Sequence, residues 1–279
     1  MAGVNCPTGC QGKQDPLLSA FLDVPSRHSH GTILPPKPIL KTKTSTQKFG
    51  TKNSGGVRPL RGRATESNYP PGSFEREDES DDGWFYASPR LVVHIDEGAI
   101  AAVSQLFKDL IPADSAVLDL MSSWRSHWPQ GHAKSGLVGL GLNAEEMKDN
   151  PDLDDYVVHN VNNDPVLPFA DEIFDATVIT VSPQYLTRPV ETFQQVNRVL
   201  KPGGIFIVTF SNRMFPTKAV RIWRTSSDQG HMDLVKSYME NAGNFVDIQA
   251  GFVNAEQSPP ADPVFAVVSR KAPSPPADV

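Results

Sequence analysis

Cysteine is almost absent: only Cys6 and Cys10 carry a thiol in 279 residues. The pair sits near the N-terminus with no histidine nearby, so a disulfide framework or a structural metal site is not expected. Long apolar runs are also missing. None approaches the ~20 residues that cross a bilayer, and the chain start lacks the continuous apolar stretch of a secretory signal. A soluble, intracellular protein is the expectation. Positive charge is scarce where a core could form: residues 81–279 carry 15 basic and 25 acidic side chains. No cationic excess remains to neutralise a phosphate backbone, which argues against nucleic acid as a partner. Walker-type phosphate loops, the Gly-x-Ser-x-Gly nucleophile turn and a Cys-His nucleophile pattern are absent as well.

Proline, in contrast, is plentiful, at 25 residues. Residues 1–65 hold ten Lys/Arg against Asp15 and Asp23, and are rich in Ser, Thr, Pro and Gly. Too little apolar surface is present there to offset chain entropy, so residues 1–80 are expected to form a disordered tail. Its few acids and scattered bases suit an organelle transit peptide, chloroplast ahead of mitochondrion, with Arg61-Gly62-Arg63-Ala64 as a processing neighbourhood. A plain flexible extension of a cytoplasmic protein is the alternative. The acidic run 75–82 reads as a solvated linker, residues 81–271 as the folded domain, and 272–279 as a disordered C-terminal tail.

Within 81–271, Trp84–Tyr86 and Pro89–Val93 are expected to pack as a flap. Asp96 caps a helix over 97–110, with Ile100, Val103, Leu106, Phe107 and Leu110 on one face. Apolar strands are predicted at 117–120, 136–142, 156–158, 174–181 and 205–210. Helices follow Asn143 and run from Pro189 to Leu200 and from His231 to Asn241. Strands alternating with helices imply an α/β domain with a mostly parallel sheet. Strands at 245–252 and 264–269 leave no room for a helix between them and should be antiparallel neighbours.

The unusual stretch is Met121-Ser122-Ser123-Trp124-Arg125-Ser126-His127-Trp128, directly after the first strand. In nucleotide-binding α/β domains this loop is glycine-rich so that backbone N–H groups can approach a ligand. Here the first glycine is Gly131, and two tryptophans stand in its place.

Leu167-Pro168-Phe169, Ile173-Phe174-Asp175-Ala176 and Arg198-Val199-Leu200-Lys201-Pro202-Gly203-Gly204 resemble the class I S-adenosylmethionine-dependent methyltransferases of the type 11 kind. More narrowly, the Leu118–Trp124 loop and Ser211–Phe215 resemble a branch found in plants, algae and bacteria. The resemblance implies a Rossmann-like fold of seven strands with the last antiparallel, and S-adenosyl-L-methionine as cofactor. It places Asp119 at the acidic position after the first strand, and Ser122 and Ser123 where glycines stand, their hydroxyls available to the cofactor carboxylate. The ribose-binding acid maps to Gly141, with Asn143 able to make one of the lost bonds or to cap the next helix. Asn160 or Asn162 maps to the adenine contact, and Val181 to the strand end facing the methyl group. Losing the ribose carboxylate costs about 1.5–3 kcal/mol of binding, which weakens a site without abolishing it.

The function so implied is methyl transfer to a small-molecule or protein acceptor, without membrane involvement. A non-catalytic methyltransferase-like binding protein is the alternative, and a nicotinamide dehydrogenase a distant third for want of its glycine fingerprint. Tyr185 and His231 are the catalytic candidates, with Asn212 and Arg213 at the rim and Arg213 suited to an anion. His127 is read as structural, and His94, His132 and His159 lack metal-ligand spacing.

Overall fold

The computed structural model describes residues 68–254 and 261–274. The cysteine pair, the transit-peptide stretch and the end of the C-terminal tail lie outside them. A single sheet of seven strands organises the fold: β1 (Ser115–Leu120), β2 (Lys134–Gly141), β3 (Asp155–Val158), β4 (Phe174–Thr180), β5 (Leu200–Phe210), β6 (Phe245–Phe252) and β7 (Phe265–Lys271). Their order is β3-β2-β1-β4-β5-β7-β6. Strands β1 to β5 pair in parallel, and β7 runs antiparallel to both β5 and β6. This is the mostly parallel seven-stranded arrangement that the sequence led us to expect, with β7 inserted antiparallel between β5 and β6.

Period-2 alternation divides the sheet into two buried faces. Leu118, Leu120, Phe206, Val208 and Phe210 pack on one side, under α4 (Pro189–Val199) and α6 (Asp228–Ala242). Val117, Leu137, Val178, Ile205 and Ile207 face the other side, under α2 (Glu97–Leu110). Asp96 caps α2 by accepting from the Ala99 N–H (2.8 Å). Trp128 joins this second cluster.

Parallel neighbours normally need a helical crossover. Between β1 and β2, residues 121–133 form neither helix nor strand. The sheet face there is covered by α2, which precedes β1, and by Trp128 from the loop itself. The site described below is therefore floored by an irregular loop instead of a helix N-terminus.

The expected boundary at residue 81 is corrected. Residues 68–80 are packed: the rings of Tyr69 and Phe74 meet Tyr238 of α6 at 5.6 and 6.0 Å. Asp78 N–H donates to the Thr217 carbonyl (2.9 Å), and the Arg221 and Ile222 N–H groups of α5 (Arg221–Arg224) donate to the Glu75 and Ser73 carbonyls (both 2.8 Å). Nor is the acidic run a solvated linker. Asp82, on α1 (Asp82–Phe85), is buried and binds Arg76 (2.6 Å) and the fully buried Lys218 (3.3 Å). Lys218 also reaches Asp78 (3.2 Å) and the Ser80 carbonyl (2.7 Å). These acids act as counter-charges to two buried cations, a role that a charge count along the chain cannot reveal.

Candidate functional site

The strand order reverses between the parallel neighbours β1 and β4, and there, outside the carboxyl ends of the strands, lies a cavity of about 340 Å³. Both its place and its size suit a small-molecule site. Asp119, Ser122, Gly141, Asn160, Val181 and Ser182 line its floor, and the segment from Tyr86 to Ile95 roofs it. Three bonds tie that roof to the rest of the lining: Trp124 Nε1 donates to the Val92 carbonyl (2.9 Å), the Arg90 N–H donates to Glu146 Oε1 (2.6 Å), and Asn143 Nδ2 donates to the Tyr86 carbonyl (2.8 Å).

Asp119 is 3% exposed, and its Oδ2 accepts from both Ser122 Oγ and Ser126 Oγ at 2.6 Å. Burial pushes its carboxyl up to about 6, against the lowering effect of the two hydroxyl donors. Ser123 Oγ donates to Glu146 Oε2 (2.7 Å), and Asn150 Nδ2 donates to Ser123 O and Ser126 Oγ (both 2.9 Å). The serines thus spend their protons on the protein's own carboxylates. The expectation that Ser122 and Ser123 donate to a cofactor carboxylate is corrected: they brace the loop. The backbone N–H groups of Ser123, Trp124 and Arg125 have no partner among the described residues and remain available.

Gly141 has a steric reason. A Cβ there would overlap the Ser122 carbonyl oxygen and stand 3.1 Å from Met147 Sδ. The Ser122 N–H also donates to the Leu140 carbonyl (2.8 Å), laying the loop across the end of β2. The missing glycines after β1 and the missing acid after β2 are one change.

Asn143 is the helix cap. Its Oδ1 accepts from the Glu145 and Glu146 N–H groups (2.9 and 3.0 Å) at the start of α3 (Ala144–Lys148), and its Nδ2 donates to Tyr86 O (2.8 Å). Both ends of the amide are engaged, so a ribose bond is not its role. Asn162 is likewise occupied: Nδ2 donates to Asp82 and to Tyr185 O, and Oδ1 accepts from Thr187. Asn160 uses only its Oδ1, on the Asn162 N–H (3.0 Å), and keeps its Nδ2 for a ligand. Val181 takes φ +51°, a left-handed conformation that a β-branched residue adopts at a cost of about 1–3 kcal/mol. It is held there by its N–H to Thr209 O (2.8 Å) and by its carbonyl on Gln184 Nε2 (2.9 Å).

The two catalytic candidates separate. Tyr185 reaches the cavity but is buried, its hydroxyl accepts from the Phe215 N–H (2.8 Å), and burial raises its pKa. It is a neutral wall. His231 does not line the cavity at all: its ring stacks on Trp223 at 4.2 Å, and Nε2 bonds the Trp223 carbonyl (2.8 Å). Its reading as a base is corrected to core packing. Arg213 is held by Asp262 through Nε and Nη2 (3.0 and 2.7 Å).

Sequence reasoning missed Tyr86, Arg90 and His94, all from the roof. His94 and His127 line the cavity with ring nitrogens that have no hydrogen-bond partner among the described residues. Both have pKa values lowered, chiefly by burial, so they are neutral at pH 7 and able to accept a proton. The roof is irregular, so no periodicity marked it; its only signal was a cluster of aromatic, cationic and imidazole side chains. Among the described residues there is no group of three metal-ligating side chains and no helix long and apolar enough to cross a membrane.

Comparison with known proteins agrees with this architecture. Residues 138–208 match the family model described as a methyltransferase domain. The chain is 27% identical over 123 residues to the biotin biosynthesis bifunctional protein BioHC of Teredinibacter turnerae, spanning 41% of this chain and 22% of that protein. It is 33% identical over 86 residues to a demethylmenaquinone methyltransferase of Paenarthrobacter aurescens, or 30% of each chain. The chain therefore spans less than a third of the length of either relative. Among solved structures, the cyclase SpnF superposes with a TM-score of 0.50 at 16% identity, over 69% of this chain and 96% of that one. That likeness concerns the fold alone.

Proposed function

We propose that this chain, which belongs with the class I S-adenosylmethionine-dependent methyltransferases by its strand order and its residues 138–208, transfers a methyl group to a small-molecule or protein acceptor. The observation that carries the reading is the cavity outside the carboxyl ends of β1 and β4, lined by Asp119, Asn160 and Val181. The groups present fit S-adenosylmethionine. The free N–H groups of Ser123–Arg125 suit its amino-acid carboxylate, Asn160 Nδ2 an adenine edge, and Glu146, with lone pairs to spare, a ribose hydroxyl. The cofactor supplies an electrophilic methyl group on a sulfonium sulfur.

The chain's own contribution is mainly positioning, which can account for most of the barrier reduction in such a displacement. Val181 and Ser182 line the cavity at the end of β4, where they would position the cofactor, and the segment 86–95 covers it. His94 or His127, neutral and unbonded, accepts the acceptor's proton when that acceptor is a hydroxyl or an ammonium. Calorimetric titration of the full chain with S-adenosylhomocysteine tests the reading. Binding below about 1 mM is expected, and none at that concentration overturns it. We also propose that residues preceding Asn68 direct the chain to a chloroplast. The acid-poor composition of residues 1–65, with its scattered Lys and Arg, supports this.

A further inference from the structure

Arg90 has no anion. Its guanidinium carbon lies 4.4, 5.5 and 5.4 Å from the ring centroids of Phe85, Tyr86 and Phe215. Nη2 donates to the Phe85 carbonyl (2.9 Å), while Nη1 is buried with no hydrogen-bond partner. Three acids line the same cavity, and each is committed elsewhere. Asp82 binds Arg76 and Lys218, Asp119 takes two serine hydroxyls, and Glu146 takes the Arg90 backbone N–H and Ser123. A guanidinium held away from water without a counter-charge is costly, and aromatic faces compensate only in part.

The remaining arginines of the cavity do not share this state. Arg213 is paired with Asp262, and Arg125 stacks on Trp124 (3.8 Å) and donates to the carbonyls of Trp124 and Asp149. Arg125 belongs to the β1 loop. Arg90 instead faces Phe215, which follows β5 and stacks on Tyr185 after β4 (6.1 Å). The guanidinium therefore lies against an aromatic residue that follows β5, while the Arg90 backbone N–H is tied to Glu146. His94 packs edge-on against the same Phe215 (5.3 Å), so the surroundings are flat and aromatic.

We propose that Arg90 is the seat for a carboxylate carried by the methyl acceptor, and that the acceptor is a small planar acid. This assignment of the ligand as acceptor rests on the methyl-transfer reading above. A carboxylate could come from two sources, the acceptor or the amino-acid end of the methyl donor. The contact with Phe215, after β5, favours the acceptor, since the free loop N–H groups and Arg125 stand at the β1 end. His94 is then within the same aromatic wall to receive a proton from the acceptor's reacting group.

Benzoate and benzamide, equal in shape and different in charge, are the probes, titrated calorimetrically into the full chain. The wild type is expected to bind benzoate at least about tenfold more tightly than benzamide. In Arg90→Gln and Arg90→Met the preference should fall to about twofold or less. S-adenosylhomocysteine and 5′-methylthioadenosine, which lacks the amino-acid end, form the second arm, and their affinity ratio should be unchanged in both variants. Equal binding of benzoate and benzamide by the wild type, or no binding of either, overturns the proposal, and this measurement needs no variant to fold. Retention of the preference in the variants overturns it as well. A collapse of the S-adenosylhomocysteine to methylthioadenosine ratio assigns Arg90 to the donor and overturns the acceptor seat. Benzoate preference lost with Arg90, in a protein that does not bind S-adenosylhomocysteine, sustains the carboxylate seat while the methyl-transfer reading falls.

Discussion

The carbonyl oxygen of Ser122 occupies the space in which a side chain at position 141 would begin. The end of β2 therefore cannot carry the acid expected at that position while the loop after β1 keeps its course. Gly141→Ala should force the loop away. We expect a loss of about 1–3 kcal/mol in stability from overpacking and at least a tenfold weaker affinity for S-adenosylhomocysteine. Thermal unfolding and calorimetry read the two effects. Gly141→Asp, which restores the missing acid, should do no better.

Asp119 gives a pH signature. Its pKa rises on folding from 3.8 to about 6, so between those values the folded chain holds more protons than the unfolded one. Its contribution to stability is complete below pH 3.8 and is lost as pH rises through about 6. Two units correspond to about 3 kcal/mol. Asp119→Asn cannot ionise, so the stability of the wild type minus that of the variant should fall by about this amount between pH 4 and 7. Urea unfolding at stepped pH measures it, and a flat difference would refute the assignment.

Asp82 neutralises Arg76 and Lys218 where all three side chains are nearly dry. Asp82→Ala leaves those cations without their shared partner and should cost about 3–5 kcal/mol. The same substitution removes one of the two acceptors of Asn162 Nδ2, leaving the Tyr185 carbonyl, and should loosen the roof over the cavity. Chemical unfolding of the full chain reports the first effect, and hydrogen exchange of residues 82–95 the second.

His231→Ala should lower stability by about 3 kcal/mol through the lost stack on Trp223, yet leave S-adenosylhomocysteine affinity within about twofold. Burial lowers the pKa of His231, so the stability it adds is present above its usual titration range and is lost as pH falls through the folded value. A large drop in cofactor affinity with stability unchanged would return His231 to the site.

If the segment before Asn68 holds a cleaved transit peptide, the mature protein should begin well downstream of Ala2, near residue 60 and no later than Asn68. Cleavage further in would remove Tyr69 and Phe74 from their contacts with Tyr238. N-terminal sequencing of protein extracted from the organism decides this, and an intact Met1 or Ala2 would count against it.

The alternation of strands and helices, the Pro189 start of α4, the Asn143 cap and the antiparallel closing pair were legible because each depends on neighbours a few residues apart. Apolar period, cap chemistry and turn residues are local properties, and they led to the observed sheet and to the cavity at the ends of its strands. Asp119, Gly141, Asn160 and Val181 line that cavity, and only the family resemblance pointed to them in the sequence, with Asn162 as the alternative to Asn160.

What the tertiary structure alone decided was where polar groups spend their hydrogen bonds. Ser122 and Ser123 face carboxylates 3 and 23 positions away, and Asp82 answers a lysine on the far side of the sheet sequence. Sequence determined the fold and the position of the site, because burial patterns repeat along the chain. The occupants of the roof, the burial of Lys218 and the unpaired charge of Arg90 came only from packing. Long-range pairing and desolvation leave no periodic trace in the residues that undergo them.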